Sequence, residues 1–276
     1  GHEALKLNTS GTQNVAVGTL ALDANTTANN NTAIGYDSLT ANTTGSGNTA
    51  LGRATLSANT TATLNTAIGT NALLANTTGA SNVAVGANAL DANTTADNST
   101  AVGKDAMASN TTGGNNTAVG FNSLYGNTTG ANNVALGRSA LQSNTTAANN
   151  VSVGYAALLS NTTGASNTGV GMNALYANTT ASNNTAVGKS ALTANTTGEA
   201  NTAVGSLALD ANTTGGFNTA LGVYALSGNT TAANNTAVGW GSLKANTVGN
   251  HSTALGYKAG LLTTGSRNTW VGALCG

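Results

Sequence analysis

The stretch NVAVGTLALDANTTANN, residues 14–30, is followed without a break by NTAIGYDSLTANTTGSG, residues 31–47, and the next copy begins at Asn48. The period is 17 residues and holds through fourteen copies, with a final step of 16 residues from Ser252 to Asn268. Running the phase backwards makes Gly1 to Gln13 the tail of an earlier copy, so the chain divides into repeats over 1–251 and atypical terminal coils over 252–276. Gly1 falls in mid-repeat, which reads as a fragment or a processed product. A fixed short period is the signature of a solenoid, in which each repeat is one coil that buries its apolar face only against its neighbours.

Counting from Asn14 as position 1, the consensus is N-T-A-V-G-x-x-A-L-x-A-N-T-T-[G/A]-x-N. Position 5 is glycine throughout: Gly18, Gly35, Gly52, Gly69, Gly86, Gly103, Gly120 and Gly137 are the first eight. Position 4 is always Val, Ile or Leu, and position 9 is leucine in nearly every full repeat, with Met107 once. Positions 6, 7, 10 and 16 vary freely and hold the charged residues, such as Arg53, Lys104 and Asp91. A column that accepts Lys, Tyr and Ser alike faces solvent, which places the constant columns inside or at turns. Thr-Ala-Val alternates with period two, as a strand does, and glycine ends it where the chain turns with positive φ or passes close to a neighbour. Ala-Leu-x-Ala alternates too, and Asn-Thr-Thr-Gly is turn chemistry. The expectation is an all-β parallel solenoid or β-roll, one coil per repeat and about sixteen coils, with two short strands per coil. Positions 4 and 9 then form two apolar ribs. Stacking places Asn25, Asn42, Asn59, Asn76, Asn93, Asn110, Asn127 and Asn144 in one column as an amide ladder. Two large apolar side chains make a thin core, and the small residues at positions 3 and 8 are expected to line an interface between identical chains.

Composition excludes several functions. Charged residues are 6% of the chain and sum to a net charge of zero, so no electrostatic footprint for nucleic acid exists. No apolar run reaches the roughly 20 residues of a spanning helix, so no membrane insertion is expected in this segment. One cysteine, Cys275, allows no internal disulfide and no thiolate metal site, and is expected as a buried stand-in for alanine. The two histidines, His2 and His251, stand near opposite ends in turn or variable columns. Asp37 and Asp105 share a column four repeats apart, while Asp91 and Asp97 share one repeat and could approach one another. No catalytic, cofactor or metal residue is assigned, and the chain is read as a non-enzyme. V-G-x-x-A also fits a hexapeptide acyltransferase core, but here it occurs once per 17 residues and lacks a placed histidine.

N-T-A-V-G-x-x-A, as at residues 31–38, 116–123 and 184–191, resembles the head repeats of trimeric autotransporter adhesins, the YadA-like or haemagglutinin-type repeats. It is also similar to repeat arrays of phage tail fibres that end in a chaperone domain. The resemblance implies a left-handed parallel β-roll, three chains side by side and adhesion to host or matrix. The repeat here is a few residues longer, and no anchor, stalk or chaperone segment is present. The functional expectation is an extracellular structural or adhesive fibre segment, secreted, at a cell surface or on a virion, that associates with identical chains and contacts cell-surface or matrix glycans.

Three alternatives follow from particular columns. Asn-Thr-Thr, from Asn25 onward, is also an N-x-T glycosylation acceptor in every full copy except the one at Asn246, with a second acceptor at position 17 in five repeats, as at Asn30, Asn98 and Asn115. That composition would suit a glycosylated filament. Threonine at positions 2, 13 and 14 would suit an ice-binding face. Aromatic and basic residues at position 6, with Tyr36, Phe121, Tyr155 and Trp240 as the contacts, would suit a sugar-binding surface.

Overall fold

A computed structural model describes all 276 residues. The chain is an all-β solenoid of sixteen parallel strands, one per coil, and contains no helix. It divides into two units, Gly1–Arg138 and Ser139–Gly276. The first carries β1 (Val15–Val17) to β8 (Val134–Leu136), and the second carries β9 (Val151–Val153) to β16 (Thr269–Val271). Within each unit, like lies on like. Val15, Ala16 and Val17 face Thr32, Ala33 and Ile34, and Thr185, Ala186 and Val187 face Thr202, Ala203 and Val204.

Each coil has one strand of three residues, where the sequence suggested two. Ala-Leu-x-Ala does not extend, because positions 7 and 9 adopt the left-handed conformation: Asp37 has φ 56° and Leu39 has φ 51°. Two such residues two apart curl the chain. Backbone hydrogen bonding between coils continues there nonetheless. Leu39 N–H donates to the Thr55 carbonyl at 3.0 Å, and Ala41 N–H to the Ser57 carbonyl at 3.1 Å. A leucine in this region costs about 1–2 kcal/mol, and complete burial of its side chain returns about 1.5–3 kcal/mol. The leucine column therefore holds its turn only because it is inside, and Leu39, Leu56 and Leu73 are each 0% exposed.

The second correction concerns which residues fill the coil. Apart from Ala16 in the first strand, position 3 and position 8 alanines of the full repeats are buried in the chain's own core, as Ala33, Ala67, Ala89 and Ala106 show. They do not line an interface. Position 4 is the outward one: Ile34 and Ile68 are each 36% exposed, and Val17 reaches 55%. Seventeen residues enclose a narrow lumen, with room beside the leucine for methyl groups but not for a second branched side chain in every coil. Strand alternation then puts Ala inward and its two neighbours outward.

Position 5 is constrained from two sides. Gly188 has φ 137°, and a Cβ there would sit 2.6 Å from the Gly205 carbonyl oxygen in the next coil. The coils approach backbone to backbone at this column, and no other residue fits.

The final coils break the pattern in a complementary way. Trp270 takes the alanine position of β16, and Gly260 takes the leucine position of the coil below it. A Cβ on Gly260 would stand 2.9 Å from Trp270 Cε3, so the indole occupies the space that leucine fills elsewhere. The two exceptions compensate each other. Gly260→Leu alone is expected to destabilise by about 1–3 kcal/mol through overpacking. Trp270→Ala alone should cost about 2 kcal/mol for a half-buried indole, below the 3–5 kcal/mol of a fully buried one. The double variant restores the ordinary pair and should recover most of both losses, a coupling on the order of 2 kcal/mol. Hydrogen exchange over residues 253–276 measures it, and purely additive losses would refute the packing described.

Candidate interaction surface

Two internal amide ladders fix the coil and decide which asparagines are available to anything outside. At position 12, Asn42 Nδ2 donates to Asn25 Oδ1 at 3.2 Å and to the Gly45 carbonyl at 2.9 Å. Asn76 and Asn93 repeat the arrangement. The expected ladder is present, and it runs through the interior, with Asn25, Asn42 and Asn59 each 0% exposed. A glycan on Nδ2 would displace both bonds in a space without room for a sugar. The glycosylation reading of position 12 is therefore corrected, while Asn30, Asn98 and Asn115 at position 17 are exposed.

Sequence reasoning missed the second ladder, at position 1. Asn31 Oδ1 accepts the backbone N–H of Asn48 at 2.9 Å, while its Nδ2 donates to the Gly45 carbonyl at 2.8 Å. The available signal was that the rare replacement there is serine, the shorter hydrogen-bonding side chain. Ser99 Oγ accepts the Asn116 N–H at 3.4 Å, a longer bond than the amide makes.

Threonines divide by position. At position 13 the hydroxyl donates to the carbonyl of the same column one coil on, as Thr43 does to Thr60 at 3.1 Å and Thr111 to Thr128 at 2.9 Å. Thr27 and Thr44 at position 14 are exposed, and the position 2 threonines on the outward face of the strand are half-buried except Thr253 and Thr269, which are exposed.

Ionisable groups form no constellation. Burial pushes the carboxyls of Asp91 and Asp210 above the ordinary range. The nearby carboxylate that adds to the rise at Asp91 is Asp105, not Asp97, whose Oδ1 accepts the Ala80 N–H at 2.6 Å. At Asp105 burial is the largest single influence and pushes upward, but the hydrogen bonds from Lys104 and Asn88 and the Lys104 charge together hold the carboxyl below its ordinary range. Asp37 shares the column of Asp105 without meeting it. His2 and His251 are exposed. Cys275 is half-exposed, not buried, and its Sγ donates to the Gly272 carbonyl at 3.0 Å. No cavity is present, and no group of three or more His, Cys, Asp or Glu could hold a metal ion. No helix is long and apolar enough to cross a membrane.

What the molecule presents is surface. In each unit the outward face of the strands is a file of Val, Ile and Leu at position 4, beside Thr or Val at position 2. No protein-family model matches this chain, and no curated protein does. The face must therefore be read from its own chemistry. Tyr36, Phe121, Tyr155 and Trp240 all lie on the surface, between 38% and 51% exposed, but the structure does not gather them into one site. Phe121 lies between Lys104 and Arg138 of the adjoining coils, whose charges are 5.5 and 5.9 Å from its ring centre. Trp240 has aromatic neighbours that the sequence reading did not single out, Tyr224 and Tyr257.

Proposed function

We propose that this chain is a non-catalytic structural segment of an extracellular fibre that associates with identical chains through the outward face of its sheet. The observation that carries this reading is the position 4 column. In every coil a β-branched or leucine side chain stands on the outer side of the strand, while the inner residue is alanine in all strands but those of Ser152, Gly169 and Trp270. Large apolar surface thus faces outward beside a strand interior of small residues. A contiguous apolar file of this kind marks a protein contact surface. Its chemistry repeats from coil to coil with no specific polar group. A second copy of the same repeat, with the same spacing of about 4.8 Å, matches it along its length. The resemblance of N-T-A-V-G-x-x-A to adhesin head repeats supports the same reading.

The test is to place charge on the apolar face without disturbing the core. Val187, Val204 and Leu221 are 37%, 38% and 37% exposed on consecutive coils. Replacing all three by lysine should convert an oligomer into a 26.7 kDa monomer in analytical ultracentrifugation while leaving the β-sheet circular dichroism unchanged. Wild-type protein that sediments as a monomer at micromolar concentration would refute the reading.

A further inference from the structure

The other feature of the surface that repetition does not explain is an aromatic and basic cluster on three consecutive coils of the second unit. Trp240 and Tyr257 follow one another in the position 6 column with ring centres 5.5 Å apart and planes at 25°, a stacked pair. Tyr224 meets Trp240 edge-on at 6.0 Å and 78°. The Lys258 ammonium lies 5.2 Å from both the Trp240 and Tyr257 ring centres, and the Lys244 ammonium 4.8 Å from Tyr224. Neither lysine is in an ion pair, unlike Lys6 with Glu3 and Lys104 with Asp105. Ala273 follows Tyr257 in the same column and reaches no further than a methyl group. The far side of the Tyr257 ring is thus left open, and the residue is 49% exposed.

We infer that Tyr257, backed by Trp240 and rimmed by Lys258 and Lys244, is a binding platform for a carboxylated sugar of an acidic polysaccharide. The negative face of an aromatic ring attracts the weakly positive C–H groups of a pyranose laid flat upon it. The lysine ammonium is a point charge on a flexible stem, suited to a carboxylate at the sugar's edge. Both halves of the recognition are needed. The aromatic stack alone would take any hexose, and the lysines alone would take any small anion. The chain as a whole has zero net charge, so attraction for an acidic sugar comes from local lysines and not from a general field. The column tolerates substitution, with Ala87 and Ser206 in the same position, so removing the ring leaves the coil intact. The platform stands independently of the fibre reading, since a monomer would carry it equally well.

Calorimetric titration of the full chain with oligogalacturonate, and with neutral cello-oligosaccharide of the same length, tests the platform. Tryptophan emission follows occupancy beside Trp240. The acidic oligomer should bind at least tenfold more tightly than the neutral one, and more weakly as salt is raised. Tyr257→Ala should weaken it tenfold or more, and Lys258→Gln should remove the preference for the acidic oligomer while the neutral one binds as before. Equal binding of the two sugars, binding unchanged in Tyr257→Ala, or no heat and no emission change at millimolar sugar would each overturn the assignment.

Discussion

Gly188→Ala is expected to destabilise its unit by more than about 3 kcal/mol, more than any exchange in the variable columns. Two independent penalties coincide. At φ 137° the backbone is in a region that only glycine occupies readily, worth about 1–3 kcal/mol of strain for any other residue. The new methyl group would also lie 2.6 Å from the Gly205 carbonyl oxygen and 3.0 Å from the Ser206 nitrogen. Both are backbone atoms, fixed by the hydrogen bond from Gly205 N–H to the Val187 carbonyl at 2.8 Å, so the neighbour cannot swing aside as a side chain would. The coils must separate. Because each coil of a solenoid touches only its neighbours, the damage should be local: amide protection lost around residues 185–208 and retained in distant coils. Lys189→Ala, one residue on in the tolerant column, should stay within about 0.5 kcal/mol of wild type. A Gly188→Ala protein with the wild-type urea midpoint and exchange pattern would mean that the close backbone approach does not exist.

The glycine column was legible because its constraint is absolute, and a constraint of that kind leaves the same letter in every repeat. The leucine column and the position 12 amides were legible for the same reason, and the solvent columns through their tolerance. The direction of position 4 was not. Invariance marks both a side chain locked inside and one that must present a constant face outside, and Ile34 and Leu39 look alike in a column of letters. What separates them is parity along a strand whose inner member must be small. The sequence does contain that fact, in Ala33 and Ala50, but it becomes decisive only once the lumen is known to be narrow. The second strand was misjudged because alternation in Ala-Leu-x-Ala is equally compatible with two left-handed turns, as at Asp37 and Leu39, and nothing local distinguishes them. The cluster around Tyr257 escaped because Tyr224 and Lys244 lie in different columns from Trp240. Their meeting depends on side-chain reach across coils, which no single column records.

The interior amides give the other large effect, and one that pH can reverse in part. Asn76 is fully buried; it donates to Asn59 Oδ1 at 3.0 Å and to the Gly79 carbonyl at 2.9 Å, and accepts from Asn93 Nδ2 at 2.8 Å. Asn76→Ala removes all three bonds and leaves the buried Asn59 Oδ1 without a donor, at about 1–3 kcal/mol, while the Gly79 carbonyl keeps the bond from Asn65 Nδ2 at 2.9 Å. Asn76→Asp keeps the shape but exchanges two donated bonds for a group that, when ionised, only accepts. The carboxylate would face the Asn59 oxygen and the Gly79 carbonyl out of water, so burial and those two oxygens raise its pKa in the folded chain above the unfolded value of about 3.9. A group with a raised folded pKa binds its proton more tightly in the native state. The native state is favoured at low pH, where both states are protonated and the acid can still donate one bond, and loses ground as pH rises through the interval between the two pKa values. The stability gap between Asn76→Asp and wild type should therefore be smallest near pH 3 and widen towards pH 7, as followed by urea denaturation. Asn30→Asp, on the exposed position 17, should show almost no such slope. A gap at Asn76 that is constant, or that closes as pH rises, would mean that the side-chain nitrogen does not point along the ladder as described.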